Sequence, residues 1–115
     1  MLSHQHRFHG HGSLRYIHSK GTQLRGVKIG LKYIHNKHRV HSRFAVVVSK
    51  KIYKSAVKRN RVRRRIYEII RALLPAIKPS HDIVLSVFDN NILELSHQGL
   101  STTIHETLEK ADLFR

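Results

Sequence analysis

AVKRNRVRRRIYEIIRALL, residues 56–74, decides how the rest of the chain is read. Six of its first ten residues are cationic, and no acid occurs in the chain before Glu68. At about 100° per residue, Val62, Ile66, Ile69, Ile70 and Leu73 fall on one stripe, the pattern of a helix with a face to bury. Arg61, Arg64, Arg65, Glu68 and Arg71 gather on the opposite face, with Arg63 near the border and Asn60 in the first turns. Ser55 is placed to cap the N-terminus, and Pro75 cannot continue the hydrogen-bond ladder, so the helix is expected from Ala56 to about Leu74. A solvated helix face normally mixes signs, because like charges four residues apart repel by roughly a few tenths of a kcal/mol. Cations at a helix N-terminus also oppose the macrodipole. A sequence that accepts both penalties points to a polyanionic partner.

The charge distribution agrees. The chain has 115 residues, the length of one domain, and a formal net charge of +15. Residues 1–67 hold 18 of the 22 lysines and arginines, whereas residues 68–115 hold all seven acids. Such self-repulsion costs stability unless an anion relieves it. No apolar run approaches the ~20 residues of a spanning helix, so no membrane partner is expected. The first twelve residues, MLSHQHRFHGHG, lack the apolar core of a secretory signal. Cysteine is absent, which excludes disulfides and thiolate metal sites and suits a reducing, cytoplasmic location. Nucleic acid is the expected partner.

Working outward, residues 1–12 read as a flexible histidine-rich arm and 13–115 as a single domain. Ser13 to Gly21 suits a short helix, with Ser13 placed to cap it, Leu14 and Ile17 three apart and glycine at the end. Residues 27–34 alternate: Val27, Ile29, Leu31 and Tyr33 face one way, Lys28, Gly30 and Lys32 the other, as in a half-buried strand. The loop His35-Asn36-Lys37-His38 leads to a valine-rich strand, Phe44 to Ser49, and a hairpin of these two strands is predicted. Beyond the basic helix, Ile83 to Phe88 reads as a third strand and Asp89-Asn90-Asn91 as a turn. Ser96 then caps a last helix with core positions Leu100, Ile104, Leu108 and Ala111. The order is αββαβα, a mixed sheet covered by helices.

Arginine suits phosphate because its planar fork engages two oxygens at once. Lys50, Lys51, Lys54 and Lys58 extend the charge along the connection into the helix. Asn60, with a donor and an acceptor, can fix the arginine backbone, touch a 2′-hydroxyl, or hold a hydrated metal ion at a phosphate. The residues leave these three open. His4, His6, His9 and His11 could chelate a transition metal, yet no carboxylate is present to orient them, and no metal site is assigned. A protein-only nuclease would need carboxylates for Mg²⁺, and the acids are few and scattered. Nor does any activating group accompany His35, His38 and His41. No catalytic residue is assigned to the protein.

Ser49-Lys50-Lys51-Ile52, followed by Ala56-Val57-Lys58-Arg59-Asn60-Arg61-Val62-Arg63-Arg64, resembles the signature of the bacterial ribonuclease P protein component. The resemblance covers roughly residues 13 to 110. It implies an α+β fold, a two-layer αβββαβα sandwich with a left-handed βαβ crossover, ribosomal protein S5 domain 2-like, in which residues 22–26 supply the extra strand. It also implies a division of labour. A ribonuclease P RNA with Mg²⁺ hydrolyses precursor tRNA to remove the 5′ leader, and one small protein, a monomer, joins one RNA. Lys50, Lys51, Lys54, Lys58, Arg59, Asn60, Arg61, Arg63, Arg64 and Arg65 would dock RNA. A cleft between the N-terminal helix and the sheet would receive the single-stranded leader, with Phe8, Leu14, Tyr16, His18 and Tyr33 as candidate contacts. The family's two aromatic positions on that helix fall near Leu14 and His18, so the chain departs from the pattern there. The alternative is a ribosomal or general RNA-binding protein with no part in tRNA processing.

Overall fold

The computed structural model describes residues 6–7, 11–26 and 28–115, with the backbone alone at 11–13. Phe8, Val27, His4 and His9 lie outside the described residues. The elements are α1 (His11–Lys20), β1 (Thr22–Leu24), β2 (Ile29–His35), β3 (Arg43–Val47), α2 (Ala56–Leu73), β4 (His81–Val87) and α3 (His97–Lys110). Single 3₁₀ turns follow α2 at Leu74–Ala76 and precede α3 at Ile92–Glu94. The order is αβββαβα, and β1 is the strand that periodicity alone left out: three residues are too few to show alternation.

The strands lie in the order β1-β2-β4-β3. β2 is antiparallel to β1 and β4, and β3 is parallel to β4. The predicted hairpin of the two strands flanking His35–His38 therefore does not form, because β4 lies between them. The composition of β4 explains this. Asp82, Ile83, Val84 and Leu85 are buried in succession, and a run buried on both faces belongs in the middle of a sheet. The antiparallel hairpin is instead β1–β2, with Thr22 opposite Tyr33 and Leu24 opposite Leu31.

Alternation divides the sheet into two faces. Ile29, Leu31, Phe44, Val46, Ile83, Leu85 and Val87 join the main core with Val62, Ile66, Ile69 and Ile70 of α2 and Leu100, Ile104 and Leu108 of α3. Each fully buried aliphatic side chain there contributes about 1.5–3 kcal/mol. On the other face, Ile17 of α1 packs with Ala45 and Val84, flanked by Leu14 and Ile34. Gly21 closes α1 by donating its N–H to the Ile17 carbonyl at 2.7 Å. A Cβ at Gly21 would stand 2.6 Å from that oxygen and 3.1 Å from the Tyr33 carbonyl, so the chain turns from α1 into β1 only with glycine. Ser55 and Ser96 cap as expected, accepting from the N–H of Lys58 at 3.3 Å and of Gly99 at 3.0 Å, whereas α1 begins at His11, two residues before the expected cap Ser13.

One buried charge ties the β2–β3 connection to the sheet. Arg43 donates to both oxygens of Asp82 at 2.8 Å, and the Asn36 amide adds a third bond at 3.0 Å. Burial alone would raise the pKa of the Asp82 carboxyl. The hydrogen bonds from Arg43 and Asn36, with the charges of Arg43 and Arg39, outweigh it and hold the group below its ordinary 3.8. A depressed carboxylate contributes stability above its unfolded pKa and loses it as pH falls through the folded one. Urea unfolding is therefore expected to show stability falling below about pH 4, with a shallower fall in Asp82→Asn. Arg43→Met, which leaves the carboxylate buried without its cation, should cost about 3 kcal/mol at neutral pH.

Candidate nucleic-acid interface

The stripe of α2 that enters the core determines what the remaining faces present. Lys50, Lys51, Lys54, Lys58, Arg61 and Arg64 are all exposed on the connection and the outer face. The one acid on α2, Glu68, lies in the fourth turn and faces Arg71 at 3.5 Å. The first three turns thus present cations unmixed with carboxylates. Val57 is 67% exposed among them, an apolar contact point that charge patterning gave no reason to select.

The remaining arginines have other partners. Arg59 is half-buried and donates through one nitrogen to the carbonyls of Tyr53 and Lys54, both at 2.9 Å, which binds the basic connection to the helix it feeds. The Asn60 side-chain oxygen accepts from Arg63, so the lone amide holds a neighbouring guanidinium in place. Asn60, Arg63, Arg64 and Tyr67 line one depression, and the Tyr67 hydroxyl accepts the backbone N–H of Val46 on edge strand β3 at 3.2 Å.

Arg65 departs from its expected place on the outer face. It donates to the carbonyls of Ile92, Leu93 and Leu95 at 3.2, 3.3 and 2.7 Å. The reason is angular. One residue before the core position Ile66, its side chain leaves the helix about 100° from that residue, at the border of the apolar face. There the loop before α3 offers three carbonyls to a fork rich in donors. Tyr53 holds the same loop by accepting the Leu93 N–H at 3.2 Å.

The candidate cleft residues separate. Leu14 packs beside Ile17 against the sheet. Tyr16 and His18 are two residues apart, about 200° around the helix, and so lie on opposite flanks of α1. Tyr16, 57% exposed, borders the loop of His35 to His38. His18 faces the sheet across Lys32, whose ammonium lies 3.2 Å from the imidazole Nδ1. Tyr33 packs on the main core, on the face of the sheet away from α1, and does not border this cleft. An aromatic that does border it, Phe88, was read from sequence only as the end of a strand. The available signal was Gly30, since glycine inside a strand often marks a close approach.

A helix anchored by one face and cationic on the other, on a mixed sheet with a second basic groove, defines a small RNA-binding α+β domain. The sequence profile described as Ribonuclease P matches residues 2–112, and the chain belongs to the family of ribonuclease P protein components, whose role is tRNA 5′ processing. The component from Pseudanabaena is 36% identical over 87 residues, covering 76% of this chain and 75% of the relative. One from Synechococcus is 40% identical over 74 residues, 64% of this chain, which span 55% of that relative's length. The fold matches the RNase P protein of Staphylococcus aureus with a TM-score of 0.85 at 23% identity, over 96% of this chain and 98% of that one. The protein from Thermotoga maritima gives 0.81 at 21% identity, over 90% and 96%.

The arginine roles separate in one pair of variants. Arg64→Gln is expected to lower the log–log salt dependence of RNA binding by roughly 0.7–0.9, one phosphate's share, with unfolding unchanged. Arg65→Met should leave that slope intact and lower stability by about 1–3 kcal/mol, because three carbonyls lose their donor. Filter binding across a salt series and urea unfolding read the two effects.

Proposed function

We propose that this protein is the accessory subunit of the ribonucleoprotein, docking through the basic connection and first three turns of α2 on ribonuclease P RNA, while the RNA carries the chemistry on precursor tRNA. The observation that carries the reading is the exposed row of Lys58, Arg61 and Arg64 beside the Asn60–Arg63 pair, uninterrupted by a carboxylate. Phosphate oxygens can take the exposed cations, and an arginine held by an amide meets them with less loss of side-chain freedom than a free one.

The chain's own residues do not suit direct coordination of Mg²⁺, a hard ion that takes oxygen ligands in octahedral array. The docking face presents an amide and cations. Among the described residues no three of the His, Asp and Glu side chains group to hold a metal. In this reading Mg²⁺ is held by the RNA and the substrate, and the protein assists by neutralising phosphates and holding the 5′ leader. One monomer serves one RNA, in the cytoplasm.

Reconstitution tests this. The protein mixed with a bacterial ribonuclease P RNA and precursor tRNA at low Mg²⁺ should yield one cut at the mature 5′ end, and protein freed of RNA should yield none. Asn60→Ala keeps the charge and releases Arg63, and should slow the low-Mg²⁺ reaction about tenfold, the worth of one hydrogen bond to a charged group. An unaltered rate would favour a general RNA-binding role that depends on charge alone.

A further inference from the structure

We propose that Tyr67, at the far end of the docking face of α2, reads a ribose 2′-hydroxyl of the docked RNA while Arg63 and Arg64 take the adjoining phosphate; this rests on the function proposed above. Asn60, Arg63, Arg64 and Tyr67 follow the spacing i, i+3, i+4, i+7, so they share one side of the helix. They line one depression of about 200 Å³. That is several times the ~30 Å³ of a water and below the ~300–1,000 Å³ of small-molecule sites, a space for one sugar–phosphate unit. Charge patterning selects the first three and passes over the tyrosine, which carries none.

The phenol is held in place from two sides. Tyr67 is half-buried, with its ring packed on the main core. Its hydroxyl accepts the N–H of Val46 on edge strand β3 at 3.2 Å. A ligand therefore meets this oxygen with little further loss of side-chain freedom. A phenol can donate one hydrogen as well as accept. Among the described residues no protein group accepts the Tyr67 proton. Asn60 gives its oxygen to Arg63, which turns its amide nitrogen to other partners. The border of the depression is thus rich in donors and carries no carboxylate.

Such a border calls for a ligand rich in acceptors. A phosphate satisfies the two guanidinium groups. It suits the tyrosine end less well, because Glu68 follows directly in sequence and its carboxylate repels a second anion. What fits there is a neutral acceptor beside a phosphate. Tyr67 stands one helical turn, about 5 Å, beyond Arg63 and Arg64, close enough for sugar and phosphate of one nucleotide to be met together. In RNA the 2′-hydroxyl is that neutral acceptor, and DNA lacks it. The arginines would take the phosphate of either polymer, and the tyrosine adds the preference for ribose.

The test uses the full chain and a pool of ribonuclease P RNA in which each molecule carries one 2′-deoxynucleotide at a random position, with bound and free RNA separated by filter. With the unsubstituted protein, at least one deoxy position should weaken binding about fivefold, the worth of one neutral hydrogen bond. In Tyr67→Phe that sensitivity should vanish, and binding of the all-ribose RNA should weaken by a similar factor. The variant also takes the acceptor from Val46, but a merely structural loss would scale every RNA alike and keep the profile. A deoxy profile that Tyr67→Phe leaves unchanged would overturn the assignment. Docked RNA should also shield Tyr67 of the unsubstituted protein from nitration, a readout that needs no variant; an equal nitration rate with and without RNA would sink the assignment alone. An unsubstituted protein that fails to bind ribonuclease P RNA would sink the function reading with it.

Discussion

Everything on this protein's surface depends on the aliphatic stripe of α2 being locked in the core. Val62, Ile66, Ile69 and Ile70 are at most 2% exposed. At about 1.5–3 kcal/mol each, their burial outweighs the mutual repulsion of the cations displayed opposite them. A helix held this way cannot rotate to spread its charges. The arginines are therefore presented as a fixed surface, whose remaining repulsion counterions screen in solution.

The same constraint assigns different work to identical side chains. Arg61 and Arg64 point to solvent. Arg59 ties the connection before the helix. Arg63 is held by Asn60, and Arg65 gathers three carbonyls of the loop before α3. A few tens of degrees around the helix separate these fates. Arginine tolerates all of them because its planar fork satisfies carbonyl, amide or phosphate oxygen with equal ease. The half-buried Arg59 and Arg65 hold the scaffold that the exposed arginines use.

The sheet serves two surfaces at once. Its α2 side fixes the docking helix, and its α1 side leaves a groove lined by cations and one aromatic ring. The row from Gly30 through Ser86 to Val47 joins the two, because β3 ends where the basic connection begins.

The sequence by itself determined what is local. The span of α2, the Ser55 and Ser96 caps, the core positions of α3 and the cationic row were legible because periodicity, capping and charge are properties of neighbouring residues. Resemblance extended this to an extra strand within 22–26; the three residues that form it, Thr22–Leu24, are too few to show a period of their own. Only the tertiary structure decided what depends on distant partners. It placed β4 between β2 and β3 and so dissolved the predicted hairpin, since the pairing of strands reflects which runs can be buried on both faces. It turned Arg65 inward, because carbonyls nearly thirty residues away reach the border of the helix. It sent Tyr33 to the opposite face of the sheet and brought Phe88 to the groove over Gly30. Each of these outcomes is a contact between residues far apart in sequence; a pattern within one segment can mark that a contact exists, as Gly30 does, but it cannot name the partner.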